Sequence, residues 1–544
     1  MQQNSAVTGA EGAKLSASDT RPAFSKALRL WTLLERANTP PLRTWLVLLC
    51  VAAFSILYFT ETCLRASQKN FWHDELVTLS VCRLPDFGAA WTAVVKGTDF
   101  NPPFFYVIER ATHALFGEGR IAFRLPQIFG FWILCVSLFL FTSRRGGLLA
   151  GWVAMLLPRL TQAYFYAYEA RPHGIVLGFA GLALLCWQRT EEREKSAWWL
   201  LGLAVSLEAA CLTHCYAILI AVPFIFAELF RTLRFRKIRS TVWAALILPV
   251  CVAVLSYIPL LRAFRANLGA DFTEIFPPTF AALPAFYGNL VSPGIALVLL
   301  ILALFSLERA GVRFQSGITW NTSRLLTRSE LVVVIGFLAL PALGVALAEI
   351  VKGPFFARYF TCAIIGVCIA LGVGVGSQER NRASLLIALF LTCLVSKFAA
   401  GMVWNDYRGN PAVVIEPSTN IRLNTTPDDP IAVHPLLKLV TDKPLPIVLV
   451  RVLDSLYLPH YVPALAPRFY PFTALKDNKI PDEFLRSHPH FYFYGSGNSS
   501  LLLLTQLIDD KRADVKFLRF DEFGNFLAEL QMPSSKQGTS TAAR

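Results

Sequence analysis

The chain is 544 residues long, 54% hydrophobic and only 16% charged, with a mean hydropathy of +0.48. A soluble domain is typically about 45–50% apolar and about 25% charged, so this composition excludes a disordered chain, a secreted disulfide scaffold and an ordinary nucleic-acid-binding protein. The net charge of +14 does not reverse that reading. Residues 405–544 carry 15 basic and 15 acidic side chains, so the whole basic excess lies among the apolar segments, where short cytoplasmic loops place it.

The polar residues 1–20 precede any apolar run, which argues against a cleavable signal peptide. A bilayer core about 30 Å thick takes about 20 apolar residues in a helix. Candidate spans fall at residues 44–64, 125–143, 148–162, 174–188, 198–213, 216–230, 242–261, 284–306, 331–350, 359–376 and 385–404. The expected fold is therefore a polytopic α-helical membrane protein of about eleven transmembrane helices with a small C-terminal α/β domain outside the cytoplasm.

Basic loops set the orientation. Arg21, Lys26, Arg29, Arg36 and Arg43 precede the first span. Arg144–Arg145, Arg189/Arg193/Lys195, Arg231/Arg234/Arg236/Lys237/Arg239, Arg309/Arg313/Arg324/Arg328 and Arg380/Arg382 follow at every second turn. The positive-inside rule then predicts a cytoplasmic segment 1–43, a membrane domain 44–404 whose long first loop 65–124 lies outside, an outer domain 405–533 and a disordered tail 534–544. In the outer domain Ile447–Val450, Phe491–Tyr494 and Val515–Phe520 read as strands, Ser499–Asp509 reads as a helix, and Phe523-Gly524-Asn525 reads as a hairpin turn.

Eleven cysteines between Cys50 and Cys393 show no paired spacing and sit mostly in apolar runs. They read as small hydrophobes rather than a disulfide framework or zinc site. Gly372-Val373-Gly374-Val375-Gly376 lacks the strand that a nucleotide loop needs, so close helix packing is the better reading.

Charged residues at the outer loops are the candidates for chemistry. In Phe71-Trp72-His73-Asp74-Glu75-Leu76, a carboxylate beside aromatic rings near a membrane is desolvated, which raises its basicity and suits a general base; Asp74 also fits an ordinary helix N-cap. Asp99-Phe100-Asn101-Pro102-Pro103-Phe104-Phe105-Tyr106 opens an interfacial helix through its prolines, with Phe104, Tyr106 and Ile108 expected toward the membrane. Arg124, in Phe123-Arg124-Leu125-Pro126, fits either a snorkelling arginine or a phosphate contact. Tyr164-Phe165-Tyr166-Ala167-Tyr168 reads as an aromatic belt, and Glu169 with Arg171 follows it. His214 fits a ligand, a base or an interfacial histidine, and Arg358-Tyr359 offers a guanidinium fork suited to phosphate.

The order Asp74-Glu75, Asn101-Pro102-Pro103-Phe104-Phe105-Tyr106, Phe123-Arg124-Leu125-Pro126, Tyr168-Glu169-Ala170-Arg171-Pro172 and Arg358-Tyr359 resembles the bacterial branch of the GT-C glycosyltransferases. These are the relatives of protein O-mannosyltransferases and of the lipid A aminoarabinose transferase. The resemblance covers roughly the first 400 residues. It implies an integral transferase of the bacterial inner membrane that takes a sugar from a polyprenyl-phosphate carrier and passes it to an acceptor hydroxyl of a glycan, lipid or protein outside the cytoplasm. It implies Asp74 as the catalytic acid/base, Glu75 as its acidic neighbour, and Arg124, Glu169, Arg171 and Arg358 around the carrier phosphate. Asn101, Tyr106, His214 and Tyr359 are further expected substrate-binding positions, and Asn101 stands where the family commonly has histidine. No cofactor is required by these residues, and a divalent cation is left open. The competing classes are a transporter or flippase, which predicts charges at span midpoints or an internal repeat, and a catalytically silent glycan-binding scaffold.

Overall fold

The computed structural model describes residues 40–192, 196–267, 277–294, 297–301, 303, 326–351, 354–376, 382–408, 436–472, 480–511, 513–520 and 525–533. Most of the segment 1–43, the tail 534–544, the hairpin residues Phe523 and Gly524, and the loop arginines Arg309, Arg313, Arg324 and Arg380 lie outside the described residues. The chain divides into two units, Met1–Leu57 and Tyr58–Arg544. The described part of the first unit is the start of the Pro40–Gln68 helix; all other described elements belong to the second.

Among the described residues, six helical segments are long and apolar enough to cross a membrane, seven if the bent pair Gln162–Tyr168 and Pro172–Glu191 is one span. Ala197–Thr213 and Ala363–Gly376 are shorter apolar helices. The chain is an integral membrane protein. The Leu125–Leu156 segment contains one non-helical residue, Gly147, at φ 83°, a conformation that costs glycine nothing. The chain folds back there: a Cβ on Gly151 would lie 2.7 Å from the Ser143 Cβ and 2.8 Å from the Phe139 carbonyl oxygen. A straight helix would separate residues 143 and 151 by about 12 Å. The segment therefore makes two passes around Arg144-Arg145.

The Gly372/Gly376 stripe packs the Ala363–Gly376 helix against that hairpin. A Cβ on Gly372 would meet the Ala150 carbonyl and the Ala154 Cβ at 2.9 Å. The expected span 284–306 is not one continuous helix: Leu283–Leu290 ends at Val291, and Pro293 makes a bridge to Thr161 instead. Its last residues lie outside the described ones.

All eleven cysteines are free. At one end of the helices the basic loops meet acids. Arg145 pairs with Glu330 at 2.9 Å, Arg231 with Glu191 at 2.7 Å, and Arg239 with Glu228. The Pro172–Glu192 helix is 21 residues long, about 30 Å at 1.5 Å per residue, so Glu191 and Arg171 flank it at opposite poles.

The C-terminal region carries a five-stranded sheet. Its strands are β1 (Ile447–Leu449), β2 (Phe469–Pro471), β3 (His490–Ser496), β4 (Asp514–Phe520) and β5 (Asn525–Gln531). β1 pairs in parallel with β2 and β3, and β5 lies antiparallel between β3 and β4. Both faces of the central strands are buried. Val448, Phe491, Phe493, Phe526 and Ala528 pack under the Gly497–Lys511 helix, with Leu503, Leu504 and Leu507. Ile447, Leu449, Tyr492, Tyr494 and Leu527 share one core with Phe71, Leu76 and Phe123 of the membrane domain. Two-sided burial is why these strands read as continuous apolar runs.

Candidate active site

The loop after the first span supplies the centre of the site. Trp72 is extended and caps the His73–Cys82 helix, so Asp74 lies in its first turn and not at the N-cap. The Asp74 carboxylate, 17% exposed, takes the Arg358 Nη1 at 2.8 Å. The Arg171 Nε lies 3.9 Å from Asp74 Oδ2, and the His73 Nδ1 lies 3.3 Å from Oδ1. Helix start, the turn before Pro172 and the Ala357–Phe360 turn thus bring one carboxylate and two guanidiniums together from positions 74, 171 and 358.

Desolvation does not win at Asp74. Burial raises its pKa, but Arg171, the His73 hydrogen bond and Arg358 together hold it well below the usual carboxylate range. The expectation of a raised basicity is corrected accordingly: two neighbouring cations outweigh the loss of water.

Arg171 is itself held by Asp99. Nη1 reaches Asp99 Oδ2 at 2.8 Å and Nη2 reaches Oδ1 at 3.2 Å, while Nη1 also donates to Thr78 Oγ1 at 2.9 Å. The Asn101 amide donates to Asp99 Oδ2 at 3.1 Å, so Asn101 serves as a donor to the carboxylate that fixes Arg171. Tyr106 is buried in the same core and not turned to the membrane as expected; Val107, Leu115 and Phe116 are the exposed large apolar side chains of its helix.

Glu75 and Arg124 depart from their expected roles. Glu75 is fully buried and receives Arg124 Nε at 2.7 Å, Arg124 Nη2 at 2.8 Å, the Ala170 amide at 2.7 Å and the Trp72 amide at 3.2 Å. Arg124 also donates to the carbonyls of Ala66, Lys69 and Asn70. With its donors committed inside the protein, Arg124 neither snorkels nor reaches a phosphate, and Glu75 cannot touch a substrate. Together they lock the turn that carries Asp74.

Glu169 is buried with Oε2 lacking a hydrogen-bond partner, and burial, partly offset by Lys69, pushes its pKa up to about 7. His214 lies behind Arg358: its ring is 4.6 Å from that of Tyr359 and 5.3 Å from that of His173. Burial, with Arg171 and Arg358 nearby, pulls its pKa down to about 3, so it is a neutral imidazole whose Nδ1 accepts the Tyr216 amide at 3.2 Å. The aromatic run is not an exposed belt. Tyr164 and Tyr168 are buried, with Arg159 over the Tyr164 ring at 4.0 Å and the Tyr164 hydroxyl 2.8 Å from Thr62 Oγ1.

Sequence reasoning missed Asp99, Thr78, His173 and Lys69. Asp99 sits two residues before Asn101 and is the carboxylate that a buried Arg171 requires, so the unexplained arginine was its signal. Lys69 is nearly fully buried, 3.7 Å from Glu75 and 4.2 Å from the Phe165 ring centre, and nothing in its sequence neighbourhood marked it. Among the described residues no three His, Cys, Asp or Glu side chains are grouped to hold a metal ion. Asp74 and Asp99 face guanidiniums and an amide, a setting that repels a cation. These residues do not fit a resident divalent cation.

Several buried polar atoms around Asp74 lack hydrogen bonds: Arg358 Nε, Arg171 Nε, Trp72 Nε1, Lys69 Nζ and Glu169 Oε2. Buried polar groups are rarely left so, and four of these five atoms are donors.

Residues 101–258 match the family model described as dolichyl-phosphate-mannose-protein mannosyltransferase. No curated protein matches the chain. Among solved structures, ArnT from Cupriavidus metallidurans in the apo state matches with a TM-score of 0.51 at 14% identity, covering 90% of this chain and 98% of that one. The same protein bound to undecaprenyl phosphate matches at 0.50 and 14%, covering 89% and 98%. An Archaeoglobus fulgidus oligosaccharyltransferase matches more distantly, at 0.40 and 13%, covering 87% and 72%. The chain has the polytopic fold of the ArnT structures, and residues 101–258 are similar to the mannosyltransferase family model, in agreement with the GT-C resemblance read from its motifs.

Proposed function

We propose that this protein is a membrane glycosyltransferase that moves a sugar from a polyprenyl-phosphate carrier to an acceptor hydroxyl on the extracytoplasmic face. The observation that carries the reading is the partly exposed Asp74 carboxylate between Arg358 and Arg171. The similarity to ArnT, one of whose structures holds undecaprenyl phosphate, supports the donor class.

In this reaction Asp74 removes the proton of the acceptor hydroxyl, and the acceptor oxygen attacks the anomeric carbon. The bond from that carbon to the carrier phosphate breaks, its electron pair passes to the phosphate oxygen, and the anomeric configuration inverts. Arg358 and Arg171 stabilise the departing phosphate. In the resting arrangement Asp74 is too weak a base, because Arg171, the His73 hydrogen bond and Arg358 together hold its pKa down. Arg171 is also paired with Asp99, whereas Arg358 is 32% exposed and bonded to Asp74. A donor phosphate takes Arg358 over and so raises the basicity of Asp74. Donor binding thus precedes acceptor activation.

Incubating the purified protein with a panel of polyprenyl-phosphate sugars and candidate acceptors, and following release of the free carrier, tests the reading. Transfer with an inverted anomeric configuration supports it; retained configuration overturns the single displacement, and transport of the lipid-linked sugar without transfer overturns the enzyme.

A further inference from the structure

The outer domain reaches the turn that carries Asp74. The Val452–Tyr461 helix packs against the His73–Cys82 helix, and its last residue, the buried Tyr461, donates its hydroxyl to the Phe71 carbonyl at 2.9 Å. His460 stands edge-on to the Phe71 ring, with centroids 5.6 Å apart. The same ring lies 4.8 Å from the Arg124 guanidinium and 6.0 Å from the Phe123 ring.

Helix geometry explains what these contacts do. The first intrahelical bond runs from the Leu76 amide to the Trp72 carbonyl, so the carbonyls before Trp72 have no partner in the helix. Buried carbonyls must be satisfied elsewhere. Arg124 takes those of Ala66, Lys69 and Asn70, and Tyr461 takes that of Phe71. Arg124 therefore fixes the link from the first span, and a residue nearly four hundred positions downstream fixes its final peptide. Asp74 lies three residues further on, and its distance to Arg358 depends on how that peptide is held.

We propose that Tyr461 is a positioning residue for Asp74, so that the outer domain completes the candidate active site. The role in catalysis rests on the transfer reaction proposed above; the clamp on the turn does not. Tyr461→Phe removes the hydroxyl and keeps the ring stacked on Tyr457, 6.1 Å away. The expected result is a turnover about tenfold lower, since small misplacements of reacting groups are costly, with KM for the polyprenyl-phosphate sugar unchanged. Hydrogen–deuterium exchange supplies a readout that needs no donor. The Leu76 amide exchanges about tenfold faster in Tyr461→Phe, while the Ala221–Phe235 helix exchanges as in the unmodified protein. Unchanged exchange at Leu76, or faster exchange throughout the membrane domain with a matching loss of melting temperature, overturns the proposal. If the unmodified protein transfers no sugar from any donor, the enzymatic reading fails while the exchange result still decides whether Tyr461 holds the turn.

Discussion

At the scale of single residues, charge pairing governs the site. Arg358 lowers the pKa of Asp74, so removing that cation raises it. Arg358→Gln is expected to move the acid limb of the kcat/KM profile to higher pH and to raise the KM for donor at least about tenfold, as loss of a charged phosphate contact does. A pH–rate series on the variant checks both, and an unmoved acid limb separates Asp74 from the rate.

Glu109 behaves in the opposite sense. It is fully buried, accepts the Gln127 amide, and burial pushes its pKa from 4.5 up to about 8. The native state then holds a proton that the unfolded chain has released. Its contribution to stability is complete below pH 4.5 and is lost as pH rises through about 8. Glu109→Gln lacks this titration, so its melting temperature rises relative to the unmodified protein between pH 5 and pH 9, by about 2–4 °C for each kcal/mol recovered. Thermal unfolding across that range in detergent measures the gap; a constant difference contradicts a buried neutral acid.

Which residues matter was partly legible in the sequence. Asp74, Arg171 and Arg358 stood out because charges at span ends need a partner or a task. What the sequence could not disclose was pairing over long separations: Arg124 with Glu75, Arg171 with Asp99, and Tyr461 with Phe71. Those pairings decide whether a charge faces substrate or is spent inside the fold.

At the scale of elements, small residues set how closely helices approach. Gly372 faces backbone and side chains of the 125–156 hairpin with no room for a Cβ. Gly372→Leu must separate the two, and overpacking of this kind costs about 1–3 kcal/mol. A lowered melting temperature with unchanged secondary structure by circular dichroism is the expected outcome; an unaffected melting temperature contradicts close packing there. Hydropathy showed the apolar runs, but it carries no account of what a run packs against. Tyr164 and Tyr168 looked like interfacial residues and are instead buried around Arg65 and Arg159. Likewise the break at Val291–Gly294 sits inside an apolar stretch, where hydropathy alone does not register it.

For the whole molecule, the two ends of the helices carry different chemistry. Arginine–glutamate pairs close one end, and Asp74 with its two guanidiniums occupies the other, beside a sheet that shares its core with the loop after the first span. The alternation of loops already separated these sets in the sequence, whereas the core shared by the C-terminal sheet and the helical part was not visible there. Its strands showed only that they were apolar, not that two different cores claim their two faces.

The central claim is that Asp74 takes the acceptor proton, and a single substitution addresses it. Asp74→Asn keeps the side chain's shape but not its basicity. Its turnover with a polyprenyl-phosphate sugar should fall about 10²–10⁴-fold, the usual worth of a general base, with binding of free polyprenyl phosphate and membrane insertion retained. Sugar transfer by that variant at near the unmodified rate would contradict the account.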